Sequence, residues 1–126
     1  MPSKVPPRRI LSTIPDMRAP VLVVVAPNPE LLDACHEASR FLAVRLEVTE
    51  VNSVATSAAR LRPFAIILEE DVFAFDPNEF TALARDVGAE VITVSASMVR
   101  DELLGVLLPR LKTALAEWNR DSTESG

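Results

Sequence analysis

Three kinds of side chain in this 126-residue sequence have the types that chemistry needs: a lone thiol beside a lone imidazole, a run of carboxylates, and a hydroxyl after an apolar run. Cys35 and His36 are sequence neighbours, and adjacent residues on a helix point in different directions, so they make a poor catalytic pair. Cys35 shares the apolar spacing of its segment and is expected to pack, whereas His36 is expected to face water. A hydrolase triad or a zinc site would need further partners that the sequence does not supply. The carboxylates are Glu69, Glu70 and Asp71, followed by Asp76. They would serve either as a weak cation site or as a docking patch for Lys and Arg of a partner. The plainer alternative is a solvated acidic loop with Asp76 capping the next helix. The hydroxyl is Ser95, which follows Val91-Ile92-Thr93-Val94. Gly88, Gly105 and Gly126 lie too far apart to build a glycine-rich phosphate loop, which excludes P-loop and dinucleotide fingerprints. No catalytic residue, metal-ligand set or cofactor is assigned.

Charge and composition narrow the classes further. The net charge is −5, but residues 1–19 hold Lys4, Arg8, Arg9 and Arg18 against Asp16, a balance of +3. The rest of the chain therefore carries −8, which repels a phosphate backbone and argues against nucleic acid as a partner. Aromatic residues make up only 5% of the chain, too few for a base-stacking platform. One cysteine permits no intrachain disulfide, and the early apolar run at residues 21–26 is too short for a signal-peptide core or a membrane span. The expectation is a cytoplasmic, soluble protein with no membrane insertion.

The elements that must position these residues alternate along the chain. Residues 1–20 contain half of the ten prolines and read as a basic, flexible leader, although Ile10, Leu11, Ile14 and Met17 could dock on the body or on a partner. Residues 21–119 form the folded domain, and residues 120–126 a polar tail, frayed from Asp121 onward. Residues 21–26 are a continuous apolar run, as a parallel strand covered on both faces requires. Asn28-Pro29-Glu30 then starts a helix to about Ala43. Leu46-Glu47-Val48-Thr49 alternates, which suits a strand near the sheet edge. Ser53 caps a short Ala-rich helix ending before Pro63, and Phe64-Ala65-Ile66-Ile67-Leu68 is a second buried strand. Asp76-Pro77-Asn78-Glu79 opens a helix that Gly88 stops, and residues 91–94 make a fourth strand. A final helix runs from about Met98 to Trp118, bent at Pro109, with Leu104, Leu108, Leu111, Leu115 and Trp118 in one apolar stripe. This β-α repetition specifies an α/β fold: a parallel sheet of four, at most five, strands with helices on both faces, a three-layer sandwich shortened at its C-terminal end.

The chain resembles the receiver domain of bacterial response regulators over residues 21–118. Leu22-Val23-Val24-Val25-Ala26-Pro27-Asn28 resembles that family's opening strand, which ends in two acids that hold Mg²⁺; here those positions are Ala26 and Pro27. Pro63-Phe64-Ala65-Ile66-Ile67-Leu68-Glu69 resembles the run into the phosphoacceptor aspartate, with the longer Glu69 in its place. Ile92-Thr93-Val94-Ser95 resembles the fourth strand, with Ser95 at the switch hydroxyl. A receiver's fifth strand, with its lysine, has no counterpart. Either one helix-strand unit after Ser95 is deleted, or an earlier unit is; the first is favoured, because one crossover fits between Glu69 and Val91.

The resemblance implies a degenerate phosphorylation pocket at Ala26, Pro27, Glu69 and Ser95, and a non-catalytic pseudo-receiver. Such a module would bind another protein of a bacterial signalling or polarity pathway, or itself as a homodimer, without phosphorylation. Its interface would be the Leu104, Leu108, Leu111, Leu115 and Trp118 stripe, the open sheet edge or the leader. The alternatives are a Mg²⁺-dependent phosphoacceptor or acid-loop enzyme with displaced ligands, and a structural homodimer.

Overall fold

The computed structural model describes the backbone of residues 19–125 and the side chains of residues 19–120. The proline-rich leader expected at residues 1–20 falls almost wholly outside the described residues. Four strands form one parallel sheet: β1 (Val21–Val25), β2 (Arg45–Thr49), β3 (Ala65–Glu69) and β4 (Glu90–Val94), in the order β2-β1-β3-β4. The helices are α1 (Pro29–Leu42), α2 (Val54–Leu61, after a 3-10 turn at Val51–Ser53), α3 (Glu70–Phe75), α4 (Pro77–Val87) and α5 (Arg100–Ser125). No helix among the described residues is long and apolar enough to cross a membrane.

The run Val21-Leu22-Val23-Val24-Val25 is buried at every position because β1 is central and covered on both sides. On one face, Leu22, Val24, Ile67, Ile92 and Val94 pack with Leu31, Ala34, Cys35 and Ala38 of α1 and with Leu103, Leu107, Leu111 and Ala114 of α5. On the other face, Val21, Val23, Val25, Ile66 and Leu68 pack with Val54 and Ala58 of α2 and with Phe80 and Ala84 of α4. The outer strands are wetter: β2 exposes Arg45 and Val48, and β4 exposes Glu90. The α/β sandwich expected from the alternation is therefore the fold, with four strands.

Local signals account for most helix ends. Asn28 Oδ1 accepts the Leu31 N–H at 2.8 Å, and Asp76 Oδ1 accepts the Glu79 N–H at 3.3 Å. Gly88 ends α4 with φ of 76°. Ser53 departs from expectation: its backbone is near-helical, not extended, and its side chain makes no capping bond. The acidic loop is also corrected. Glu70 and Asp71 form the first turn of α3, where the helix dipole favours anions, while Val72 and Phe73 anchor that helix on the core.

The last helix differs in two ways. It continues to Ser125, since neither Gly nor Pro interrupts it after Pro109. Its fully buried stripe is Leu103, Leu107, Leu111 and Ala114; of the expected Leu104, Leu108, Leu111, Leu115 and Trp118, Leu111 belongs to it and the other four are half-buried along its flank. The doublets Leu103-Leu104 and Leu107-Leu108 carry two adjacent stripes of equal spacing, and Ala114 lets the helix approach the sheet more closely than Leu115 would.

Candidate functional site

Open α/β sheets present ligand sites beyond the carboxyl ends of their strands, so the chemistry of this fold is sought there. Glu69 closes β3 opposite Val94 of β4, and Ser95 follows directly. The β1–β3 register pairs Val24 with Ile67, so its continuation sets Ala26 level with Glu69. The structure thus brings Ala26, Glu69 and Ser95 into one row across the sheet end, with Pro27 beside it. Asp76 is elsewhere, capping α4.

In that row the Ala26 backbone and the Ser95 hydroxyl are engaged in local structure. Ala26 adopts φ of 44°, a left-handed conformation that costs a non-glycine residue about 1 kcal/mol, and its N–H donates to the Thr49 carbonyl at 2.8 Å. This turns the chain out of β1 toward Asn28, whose Nδ2 donates to the Ala96 carbonyl at 3.3 Å. The Ser95 and Ser97 hydroxyls lie 2.9 Å apart, and the Ser97 N–H donates to Ser95 Oγ at 3.3 Å, a local hydroxyl turn. Glu69 is half-buried, and Glu70 and Asp71 are exposed. Among the described residues, no three His, Cys, Asp or Glu side chains converge closely enough to hold a metal ion.

Cys35 and His36 separate as their helical positions require. Cys35 is fully buried, and burial pushes its thiol up from 9.0 to about 12, which keeps it protonated and unreactive at neutral pH. His36 is exposed.

The stripe residues expected to form a partner surface are turned inward. Leu111 has no exposed surface, which corrects its assignment to an interface. Leu104, Leu108, Leu115 and Trp118 are half-buried and packed against the core beneath α1 and α5. What does face outward is the edge of β4, unpaired among the described residues, with the flank of α5 beside it. There Arg110 pairs with Glu90 at 3.6 Å, and a depression of about 300 Å³ opens between Glu90, Pro109, Arg110, Thr113, Ala114 and Glu117. Two further features had no usable sequence signal. Phe75 at the end of α3 is 85% exposed, and Phe41 is 65% exposed beneath the Lys112 ammonium, 5.3 Å from its ring centroid.

No family model and no curated protein matches the chain. Among solved structures, it is similar to the lactose-specific IIB component domain of the phosphoenolpyruvate:carbohydrate phosphotransferase system from Streptococcus pneumoniae. The TM-score is 0.50 and the identity 19%, over 78% of this chain and 95% of that one. A likeness at that identity concerns the fold alone, and it agrees with a flavodoxin-like α/β sandwich.

Proposed function

We propose that this chain is a non-catalytic, receiver-like module that binds another protein, or a second copy of itself, without being phosphorylated. The setting that suits such a module is bacterial signalling or cell organisation. The observation that carries this reading is the row at the sheet end, where Ala26 and Pro27 stand at the positions that would supply hard oxygen ligands, and the Ala26 N–H is bound by Thr49. Phosphoryl transfer depends on positioning and on charge neutralisation by a cation, and Glu69 extends one methylene further than an aspartate there. The free β4 edge and the adjoining flank of α5 offer the main contact surface.

A second reading, phosphotransfer with displaced ligands, draws on Glu69, Glu70 and Asp71 near Ser95 and on the phosphotransferase-system neighbour. One experiment separates the two. The protein is incubated with acetyl phosphate and Mg²⁺, then weighed intact, while a parallel Mg²⁺ titration follows the amides of residues 26–28, 69–71 and 95 by NMR. The interaction reading expects an unchanged mass and flat titration curves. A phosphoryl adduct at Glu69, Asp71 or Ser95, or saturable Mg²⁺ shifts, would overturn it.

A further inference from the structure

The sheet has a second edge, and its sequence is self-complementary. β2 lies outermost on the side away from β4, and among the described residues nothing pairs with its outer side. The chain there reads Val44-Arg45-Leu46-Glu47-Val48, apolar residues alternating with one base and one acid about a central leucine. Val44 and Leu46 pack on the α1 face of the sheet, and Val48, in the same phase, is 48% exposed. The other phase faces α2, where Thr49 Oγ1 and Ser57 Oγ lie 3.2 Å apart. Arg45 and Glu47 share that second face, and neither is in an ion pair among the described residues. The backbone has the matching phase. The Arg45 N–H donates to the Pro20 carbonyl at 3.1 Å, and the Thr49 carbonyl accepts the Ala26 N–H at 2.8 Å, so residues 45, 47 and 49 turn their backbone groups toward β1. Leu46 and Val48 therefore turn theirs to the open side.

We infer that two copies of this chain pair through β2, antiparallel, about a two-fold axis at Leu46, which joins their two four-stranded sheets into one. In this register the two Leu46 residues are a hydrogen-bonded pair, each N–H donating to the other's carbonyl. Val44 stands opposite the second copy's Val48 and covers that exposed side chain on the α1 face. On the α2 face Arg45 stands opposite the second copy's Glu47, and by symmetry Glu47 opposite Arg45. These are non-hydrogen-bonded positions, where Cα atoms come within about 4.5 Å and side chains are closest. The other registers fail on charge. An axis at Glu47 sets acid against acid, an axis at Arg45 sets base against base, and an axis at Val48 leaves Glu47 opposite Thr49 with neither charge matched.

Charge complementarity selects the occupant. Charged side chains on an edge strand ordinarily block pairing, and an arbitrary strand would leave Arg45 and Glu47 unmatched. The chain's own β2, reversed, supplies an acid for the base, a base for the acid and an apolar residue at every other position. β4 cannot match itself in this way, because Glu90 is its single charge. The −8 carried by the body opposes association only weakly, since repulsion beyond about 8 Å is screened at physiological salt while the facing pairs are in contact. The edge used lies opposite β4, so the pairing goes beyond the proposed partner contact and leaves β4 for a different protein.

The test is sedimentation velocity on the full 126-residue chain over a rising concentration series, with circular dichroism confirming that each variant is folded. The wild type should form a concentration-dependent dimer. Arg45→Glu and Glu47→Arg each set like charges opposite one another twice per dimer, and each should weaken it at least about tenfold. The double variant Arg45→Glu/Glu47→Arg restores opposite charges and should bring the dimer back to near wild-type strength. Thr93→Lys, on the other edge, should leave it unchanged. A wild type that stays monomeric throughout overturns the inference, as does a dimer that both single reversals leave intact. So does a double variant as weak as the singles, and so does a dimer lost with Thr93→Lys, which would lie at β4.

Discussion

A carboxylate oxygen of Glu30 accepts the backbone N–H of Arg100 at 2.7 Å, joining the first turns of α1 and α5 across seventy positions of sequence. The Arg100 guanidinium returns the contact to Glu37 at 3.4 Å, and Glu37 also pairs with Arg40. One acid on α1 thus satisfies the Arg100 N–H, while the helix's own Glu102 accepts the Val99 N–H at 3.1 Å. This clasp, together with the Asn28–Ala96 bond, holds the two loops at the sheet end in fixed relation.

Glu30→Ala should lower stability by about 1 kcal/mol, the usual worth of a lost cap at a helix start. Urea titration of the two proteins reads it directly. An unchanged midpoint would show that the exposed bond contributes nothing net.

Two capping positions should respond differently. Asn28→Ala removes a side chain that bonds the Leu31 N–H and the Ala96 carbonyl, and should cost about 1–2 kcal/mol. Ser53→Ala removes no capping bond and should cost less than about 0.5 kcal/mol. Equal losses in thermal unfolding would contradict this assignment of caps.

The position of the α5 stripe can be measured by paired truncations. Leu107→Ala and Leu111→Ala empty fully buried sites and should each cost about 2–5 kcal/mol. Leu108→Ala and Leu115→Ala act at half-buried flanks and should each cost clearly less. Chemical denaturation of the four variants orders them, and a reversed order would restore the stripe on Leu104 and Leu108.

Cys35 makes stability depend on alkaline pH. Its folded thiol is raised from 9.0 to about 12 by burial, so above pH 9 the unfolded chain loses a proton that the folded chain keeps. The contribution is fully present below pH 9 and is lost progressively as pH rises toward 12. The melting temperature of the wild type should therefore fall faster between pH 8 and 10 than that of Cys35→Ala. Parallel slopes would mean that the thiol is not buried in solution.

Much of the fold is legible in short-range patterns. The apolar runs of β1 and β3, the Asn28-Pro29 and Asp76-Pro77 helix starts and the Gly88 stop each act within a few residues, so they survive translation into structure. The choice between Leu103 and Leu104 is not legible, because both satisfy the same helical spacing and only packing against α1 and the sheet decides. The α3 helix was hidden by its acidic first turn, and its anchor, the Phe73–Phe80 stack at 6.2 Å, is tertiary. The row of Ala26, Glu69 and Ser95 could be placed at strand ends from sequence, but its alignment across the sheet is a matter of register. The Glu30–Arg100 clasp left no trace in local pattern at all.

The central claim, contact without phosphorylation, is tested most directly by capture from phosphatase-treated lysate of the source organism. The baits are the wild type, Glu69→Gln and the edge variant Thr93→Lys, each confirmed as folded. The account predicts one specific partner besides this chain itself, retained equally by wild type and Glu69→Gln and lost from Thr93→Lys. A partner that binds only before phosphatase treatment, or that Glu69→Gln loses while Thr93→Lys keeps it, would contradict the account and return function to the sheet end.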